Sequence, residues 1–171
     1  MNTLKSKIRD IENFPKAGVT FRDITPLLAD HILLQTAVQA MVKPFRDSSI
    51  TAVAGMEARG FIFGSLAASD LGVGFIPLRK PGKLPHQVKK IDYQLEYGSA
   101  TLEVHLDAIQ AGDKILLVDD VLATGGTARA SCQLVEQLGG VIVGCSFLLE
   151  ITALNGRKQL TNYPLTSLIH Y

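Results

Sequence analysis

The sequence predicts an α/β protein in which a mostly parallel, twisted sheet is flanked by helices. Short apolar runs of strand length alternate with segments of helix length, and glycines mark many of the boundaries between them. Strands separated by helices of this length are joined by right-handed crossovers and lie parallel in one sheet. A length of 171 residues with 47% hydrophobic content predicts that residues 1–171 form a single domain with one sizeable core.

The first part of the chain precedes this alternation. Apolar residues recur at helical spacing over residues 2–11, which predicts a short amphipathic helix. Residues 14–18 contain proline and glycine and should end it, and residues 19–28 are expected to be irregular and apolar. Asp30 is a suitable N-cap for a helix that runs to about Phe45.

The α/β alternation begins after this helix. The predicted strands cover residues 50–54, 74–78, 114–118 and 141–149. The predicted helices cover residues 60–71 and about 127–138. Gly72 is placed to end the first of these helices, and Gly139 with Gly140 to end the second.

One region interrupts the rhythm of strands and helices. Residues 81–92 hold two prolines, a glycine and three lysines, which predicts an exposed, mobile loop. Residues 93–97 and 100–105 flank Gly98-Ser99, and this pattern predicts a β-hairpin.

The composition excludes several classes of protein. A net charge of +1 argues against a dedicated nucleic-acid binder. No apolar run approaches the roughly 18 residues that a membrane helix needs, and no apolar stretch follows the basic residues of the N-terminus as in a secretory signal. Cys132 and Cys145 lack metal-ligand spacing and suit a reducing compartment. We therefore expect a cytoplasmic protein with neither nucleic-acid nor membrane partners.

Residues 115–130, ILLVDDVLATGGTARA, are the most informative stretch of the chain. A buried strand is followed by Asp119 and Asp120, and a loop over residues 123–127 then opens a helix. Glycines let a backbone approach a ligand closely, and the N–H groups of a helix start suit a phosphate. The carboxylates repel a phosphate but can accept hydrogen bonds from a diol such as ribose, each bond being worth about 1.5–3 kcal/mol. The pattern therefore favours a phosphorylated sugar as ligand.

A second turn of the same kind covers residues 55–60, GMEARG, which also join a strand to a helix start. Ligands of open parallel sheets bind at the carboxyl ends of the strands, so the two turns could hold two phosphate groups of one substrate. Arg59 would supply a planar fork of donors. The cations of residues 79–83 follow another strand and could neutralise charge on a pyrophosphate leaving group. Taken alone, the 55–60 segment could equally be an ordinary strand-to-helix turn with a surface arginine, and the cations of residues 79–83 could form a solvated basic face.

Six segments, in this order and at this spacing, resemble the type I phosphoribosyltransferases. They are FPKAGVTFRDITPLL (14–28), GMEARGFIFG (55–64), PLRKPGKLP (77–85), LEYG (95–98), the 115–130 stretch and LNGRKQL (154–160). The resemblance covers about residues 12–160, and several of the segments are similar to the adenine-using branch in particular. It implies the type I phosphoribosyltransferase fold, with a small N-terminal hood over about residues 1–28 and a flexible loop and β-hairpin over about residues 81–105.

The resemblance also implies an activity. Enzymes of this branch transfer 5-phosphoribose from phosphoribosyl pyrophosphate to N9 of adenine, which yields AMP and pyrophosphate in purine salvage. Magnesium is implied as the cofactor, held mainly through substrate and water with no direct protein ligand. A homodimer is implied as well.

Residue roles are carried over from the matching motifs. The resemblance assigns adenine to Thr20, Phe21 and Arg22, with Phe21 stacking on the base and the backbone of the other two reading its edge. It assigns the ribose hydroxyls to Asp119 and Asp120. It assigns the 5′-phosphate to Ala123, Thr124, Gly125, Gly126 and Thr127. It assigns pyrophosphate to Glu57, Ala58, Arg59, Arg79, Lys80 and Lys83. It implies catalytic roles for Arg59, Glu96 and Tyr97, the last two on the closing loop, and a cis peptide at Glu57–Ala58.

Three alternatives remain open at this point. Another purine phosphoribosyltransferase, for example one that uses xanthine, would keep most of these motifs. A regulator that senses phosphoribosyl pyrophosphate would keep the 115–130 stretch without catalysis, although regulators of that kind usually carry a nucleic-acid-binding surface. A receiver domain also has acidic residues after a strand, but at its first strand and without the Thr-Gly-Gly-Thr loop.

Overall fold

The computed structural model describes residues 2–94 and 98–171, which form nine strands, five α-helices and three short 3-10 helices. The strands are β1 Arg9–Glu12, β2 Thr20–Asp23, β3 Ala52–Met56, β4 Gly74–Leu78, β5 Val88–Gln94, β6 Ser99–His105, β7 Lys114–Leu122, β8 Val141–Glu150 and β9 Leu165–His170. The helices are α1 Asn2–Lys5, α2 Thr25–Leu28, α3 His31–Val42, α4 Gly60–Leu71 and α5 Gly126–Glu136. Short 3-10 helices cover Lys43–Phe45, Thr152–Leu154 and Gly156–Leu160. None of the helices in this described part of the chain is long and apolar enough to cross a membrane.

The central sheet is parallel throughout, with the strand order β4-β3-β7-β8-β9. The prediction of a parallel sheet flanked by helices is therefore confirmed. After β3 the chain adds β4 on one side, and it later returns to place β7 on the other side of β3. Connections that leave two neighbouring strands in opposite directions open a crevice at the carboxyl ends of those strands. In this sheet the crevice lies between β3 and β7.

The sheet separates two apolar layers. On β7, Ile115 and Leu117 face the layer that contains α5, whereas Leu116 and Val118 face the layer that contains α3 and α4. All four side chains are fully buried. A strand covered on both faces needs apolar residues at every position, which is why this strand is recognisable from the sequence as a continuous apolar run.

The N-terminal predictions are wrong for residues 2–11 and 19–28. The helix ends at Lys5, and Arg9–Glu12 instead forms β1, which pairs antiparallel with Thr20–Asp23. Residues 25–28 form a short helix, not an irregular segment. Isolated helices shorter than about 12 residues are marginal, so pairing with a neighbouring strand outweighs the helical spacing of residues 2–11. This pairing brings Ile11 opposite Phe21 and builds the N-terminal segment around β2.

Most of the predicted central elements are confirmed. Strand 74–78 and helix 60–71 have the predicted bounds, and Gly72 ends that helix in the left-handed conformation with φ 69°. The side chain of Asp30 accepts a hydrogen bond from the N–H of Leu33 at 3.2 Å, so it caps α3 as predicted. Strand 50–54 lies two residues further along, at Ala52–Met56, and α5 ends at Glu136 instead of near residue 138. Such shifts are ordinary for element ends.

Two boundaries are corrected in ways that affect the site. The strand predicted to end at residue 118 continues to Leu122, so both aspartates lie on β7 and not after it. Residues 88–92, predicted as part of a mobile loop, belong to β5, which pairs with β6. The exposed face of β5 carries the polar residues Lys90, Asp92 and Gln94, while Ile91 and Tyr93 on the other face pack against the core. The hairpin is confirmed, but its first strand begins earlier, and its residues 95–97 lie outside the described part of the chain.

Candidate active site

A cavity of about 440 Å³ opens at the carboxyl ends of β3 and β7. It lies at the crevice that the strand order creates. The residues that line it are Glu57, Ala58, Arg59, Asp119, Asp120, Val121, Leu122, Ala123, Thr124, Gly125, Thr127 and Ala128. Both turns predicted to hold phosphate groups, and the acidic pair between them, therefore face one space.

The two aspartates are held close to the backbone of neighbouring elements. The N–H of Asp120 donates to Oδ1 of Asp119 at 2.8 Å. A Cβ atom on Gly60 would lie 2.6 Å from the same oxygen, so the absence of a side chain at Gly60 makes room for the Asp119 carboxylate. Burial and the neighbouring Asp120 charge raise the pKa of Asp119 well above its usual value.

Arg59 reaches across the cavity to the acidic pair. Its Nε lies 2.7 Å from Oδ2 of Asp120, whose residue is 5% exposed. The N–H is not aimed at the oxygen, so the contact is an ion pair without a hydrogen bond. Burial raises the pKa of Asp120, and the Arg59 guanidinium opposes that rise. The buried oxygen thus keeps hydrogen-bonding capacity for a donor such as a sugar hydroxyl.

The loop after β7 turns directly into α5. Gly125 has φ 83°, a left-handed conformation that favours glycine, and stands at the N-cap of α5 without a side-chain cap. The first N–H groups of a helix have no partner within the helix and carry the positive end of its dipole. The hydroxyl of Thr127 lies 3.3 Å from the hydroxyl of Tyr93 on the hairpin. This geometry can bind an anion.

The turn after β3 carries the cis peptide at Glu57–Ala58, as the resemblance implies. The Glu57 carboxylate accepts hydrogen bonds from Nε of Arg79 at 3.1 Å and from the N–H of Lys80 at 3.2 Å. Burial opposes ionisation of Glu57, but Arg79, Lys80 and Lys83 together lower its pKa. Arg79 in turn donates to the carbonyl of Lys83 at 3.2 Å. The basic residues that follow β4 therefore gather beside the turn that lines the cavity.

The residues predicted to bind the base lie on β2. The Arg59 guanidinium stands 5.2 Å from the centre of the Phe21 ring, which places this ring at the edge of the cavity. Arg22 forms an ion pair with Asp10 and lies over the ring of Tyr171 at 3.9 Å. These contacts engage the side chain of Arg22, and Thr20 is exposed.

Some of the predicted site residues do not line this cavity. Gly126 instead lines an adjacent cavity of about 400 Å³ beneath the hairpin, which it shares with Thr124. Glu96 and Tyr97 lie outside the described residues. Conversely, sequence reasoning missed Val121, Leu122 and Ala128, which line the main cavity. The consecutive apolar residues Val121 and Leu122 directly after Asp120 are the signal that could have extended the strand.

Comparisons with known proteins agree with this architecture. A family model described as a phosphoribosyl transferase domain matches residues 24–167. The chain is 63% identical to the adenine phosphoribosyltransferase of Methylococcus capsulatus over the whole of both chains. The crystal structure of adenine phosphoribosyltransferase from Rhodothermus marinus superposes with a TM-score of 0.95 at 50% identity, covering 99% of this chain and 97% of that one. The Saccharomyces cerevisiae enzyme, solved with an imino-altritol bisphosphate and adenine, superposes with a TM-score of 0.92 at 39% identity, covering 97% of this chain and 96% of that one.

The chain therefore belongs to the phosphoribosyltransferase family and has its type I fold. Within that family it groups with the adenine phosphoribosyltransferases, the transferases that make AMP from adenine and phosphoribosyl pyrophosphate in purine salvage. The prediction of an enzyme of this class is confirmed. The alternatives of a xanthine-using enzyme, a regulator and a receiver domain are set aside, because full-length relatives at 51–63% identity are adenine phosphoribosyltransferases.

Proposed function

We propose that this chain transfers 5-phosphoribose from phosphoribosyl pyrophosphate to N9 of adenine in the cavity between β3 and β7. The observation that carries the proposal is that one cavity is lined by two anion-ready turns and, between them, by a carboxylate pair. A ribose with a phosphate at each end needs this arrangement. The loop over residues 123–127 would bind the 5′-phosphate, and the turn over residues 57–59 would bind the pyrophosphate.

Asp119 and Asp120 would accept hydrogen bonds from the ribose hydroxyls. Displacement at the anomeric carbon passes through an oxocarbenium-like transition state, in which positive charge builds on the sugar. Two carboxylates beside the ring stabilise that charge more than the neutral ground state. The ion pair with Arg59 opposes the rise in the pKa of Asp120 that burial causes, and so favours the ionised form.

The leaving group would be bound from the other side. Negative charge builds on pyrophosphate as the bond to the anomeric carbon breaks, and Arg59, Arg79, Lys80 and Lys83 supply positive charge beside it. Glu57 organises this set because its carboxylate binds both the side chain of Arg79 and the backbone of Lys80. We assign Glu57 and Ala58 to shaping this half of the site, and Glu96 and Tyr97 to the segment that approaches the bound substrate.

The base would lie against Phe21, with its edge read by the backbone of Thr20 and Arg22. Adenine presents an amine at C6 and an unprotonated N1, whereas hypoxanthine and guanine present a carbonyl and a protonated N1. A backbone that pairs with the adenine edge meets two mismatches with a 6-oxopurine, each costing about 1–3 kcal/mol. Such sites discriminate by about 10⁴-fold or more.

Magnesium fits this site as an ion that arrives with the substrate. Among the residues that the structure describes, no three carboxylate, histidine or cysteine side chains form a cluster able to hold a metal. Magnesium typically keeps several waters and binds in large part through substrate phosphates, so it would be held here mainly through the pyrophosphate and water, with no direct protein ligand. When bound, the ion neutralises charge on the pyrophosphate oxygens.

Two further properties belong to the proposal. We propose a homodimer, by analogy with the family, which light scattering of the purified protein would test. We also propose a cytoplasmic location, because Cys132 and Cys145 are free thiols in the core and suit a reducing compartment.

The experiment that tests the proposed function is nucleotide formation by the purified protein. The protein is incubated with phosphoribosyl pyrophosphate, magnesium and, separately, adenine, hypoxanthine, guanine or xanthine. We expect AMP from adenine at a kcat/KM that exceeds the 6-oxopurine values by about 10⁴-fold or more. Comparable values for adenine and hypoxanthine would overturn the base assignment, and failure to form any nucleotide would overturn the transferase itself.

A further inference from the structure

The segment around Gly156 lies directly behind the loop assigned to the 5′-phosphate. Gly156 is buried and begins the 3-10 helix Gly156–Leu160. A Cβ atom at this position would overlap the carbonyl oxygen of Ala123 and stand 3.0 Å from the backbone nitrogen of Gly125. A Cβ atom on Gly125 would in turn overlap the carbonyl oxygen of Gly156. The two backbones are thus packed against each other with no room for a side chain between them.

Arg157 fastens this segment to the end of the central sheet. Its Nε and Nη2 donate to the two carboxylate oxygens of Glu150 at 3.2 and 2.7 Å. Glu150 ends β8 and is only 4% exposed, and it also accepts a hydrogen bond from the hydroxyl of Ser167 on β9 at 2.7 Å. A two-point contact of this kind fixes the orientation of both side chains as well as their distance.

A second contact fastens the segment to α5. Nη1 of Arg129 donates to Oε1 of Gln159 at 3.0 Å. The segment is therefore bound to β8 through Arg157 and to α5 through Gln159. Gly156 of the same segment packs against Ala123 and Gly125. Ala123 and Gly125 line the cavity, whereas Gly156, which contacts both, does not.

We propose that Gly156 is a positioning residue for phosphoribosyl pyrophosphate, and that the Arg157–Glu150 pair holds it in place. This inference rests on the proposed function and deepens it. The 123–125 backbone can present its N–H groups to a phosphate only if the Ala123 carbonyl is turned into the space that Gly156 leaves free. A side chain at Gly156 would push that carbonyl, and the whole loop, toward the cavity.

Alanine at position 156 isolates this effect. The backbone of Gly156 is outside the left-handed region, so its conformation accepts alanine, and it is the contacts with the backbone of Ala123 and Gly125 that oppose the substitution. Gly74 offers a matched control. It is also outside the left-handed region, and a Cβ atom there would meet nothing within 4 Å.

The test measures KM for each substrate and the binding of ribose 5-phosphate by calorimetry. For Gly156→Ala we expect KM for phosphoribosyl pyrophosphate and the Kd of ribose 5-phosphate to rise at least tenfold, while KM for adenine stays within about twofold. Gly74→Ala should match the unmodified protein in all three. Unchanged binding of ribose 5-phosphate, or equal increases in KM for both substrates, would overturn the proposal.

A second variant covers the case in which Gly156→Ala does not fold. Arg157→Lys keeps the charge but loses the two-point contact, and should shift the same two parameters in the same direction by a smaller factor. No shift in this variant would also overturn the proposal. A folded Asp119→Asn, Asp120→Asn double variant with unchanged activity would overturn the proposed ribose site instead, so the two failures are distinguishable.

Discussion

Replacing Asp119 by asparagine separates the contribution of this carboxylate to activity from its effect on stability. Asparagine keeps the shape of the side chain and the oxygen that accepts the hydrogen bond from the N–H of Asp120. It removes the charge beside the ribose. One lost charge-assisted hydrogen bond is worth about 1.5–3 kcal/mol, which corresponds to a decrease in kcat/KM of about 10- to 150-fold.

The same substitution should increase stability at neutral pH. Burial and repulsion from Asp120 raise the pKa of Asp119 in the folded protein. A carboxyl group with a raised pKa in the folded protein binds its proton more tightly there than in the unfolded chain. As the pH rises from the unfolded pKa to the folded pKa, the free energy of unfolding therefore decreases. Asparagine does not ionise and avoids this loss. The gain in Tm over the unmodified protein should therefore be larger at pH 8 than at pH 5.

The assay combines steady-state kinetics with thermal unfolding at both pH values. Asp107→Asn is the matched control, because it removes one negative charge from an exposed position outside the cavity. A folded Asp119→Asn protein with unchanged kcat/KM for phosphoribosyl pyrophosphate would refute the ribose assignment. A lower Tm than that of the unmodified protein at pH 8 would refute the electrostatic argument.

Three further outcomes are expected. Phe21→Ala should raise KM for adenine in steady-state kinetics because it removes the apolar face of the base site, whereas Thr20→Val should leave the preference for adenine over hypoxanthine unchanged because the edge is read by backbone. Limited proteolysis of the free enzyme should cut within residues 81–87, the part of the polar stretch that precedes β5, and bound substrate should slow that cleavage. Equal cleavage with and without substrate would contradict a closing role for this loop. Gly144→Ala should lower the free energy of unfolding by about 1–3 kcal/mol, because a Cβ atom at this position would stand 2.8 Å from Cδ1 of the buried Phe45 ring. An unchanged midpoint in denaturant unfolding would contradict that packing.

The sequence alone was sufficient for the parallel sheet and for the position of the two turns that line the cavity. The buried strand of residues 115–118, helix 60–71 with its terminal Gly72, and the two turns after β3 and β7 are local patterns. Each depends on hydrophobic period, glycine and proline placement within about 10–15 residues of chain, and such patterns are visible without knowing what packs against them. The strand-end position of the two turns was enough to predict that they share one edge of the sheet.

Only the tertiary structure decided the features that depend on segments distant in the chain. Residues 9–12 form a strand because Thr20–Asp23 pairs with them, and residues 88–92 form one because β6 does, although the spacing and composition of these stretches favour other states. The ion pair of Arg59 with Asp120 and the packing of Gly156 against Ala123 join residues that no sequence pattern connects. Local propensity is worth less than about 1 kcal/mol per residue, so pairing and burial between distant segments override it.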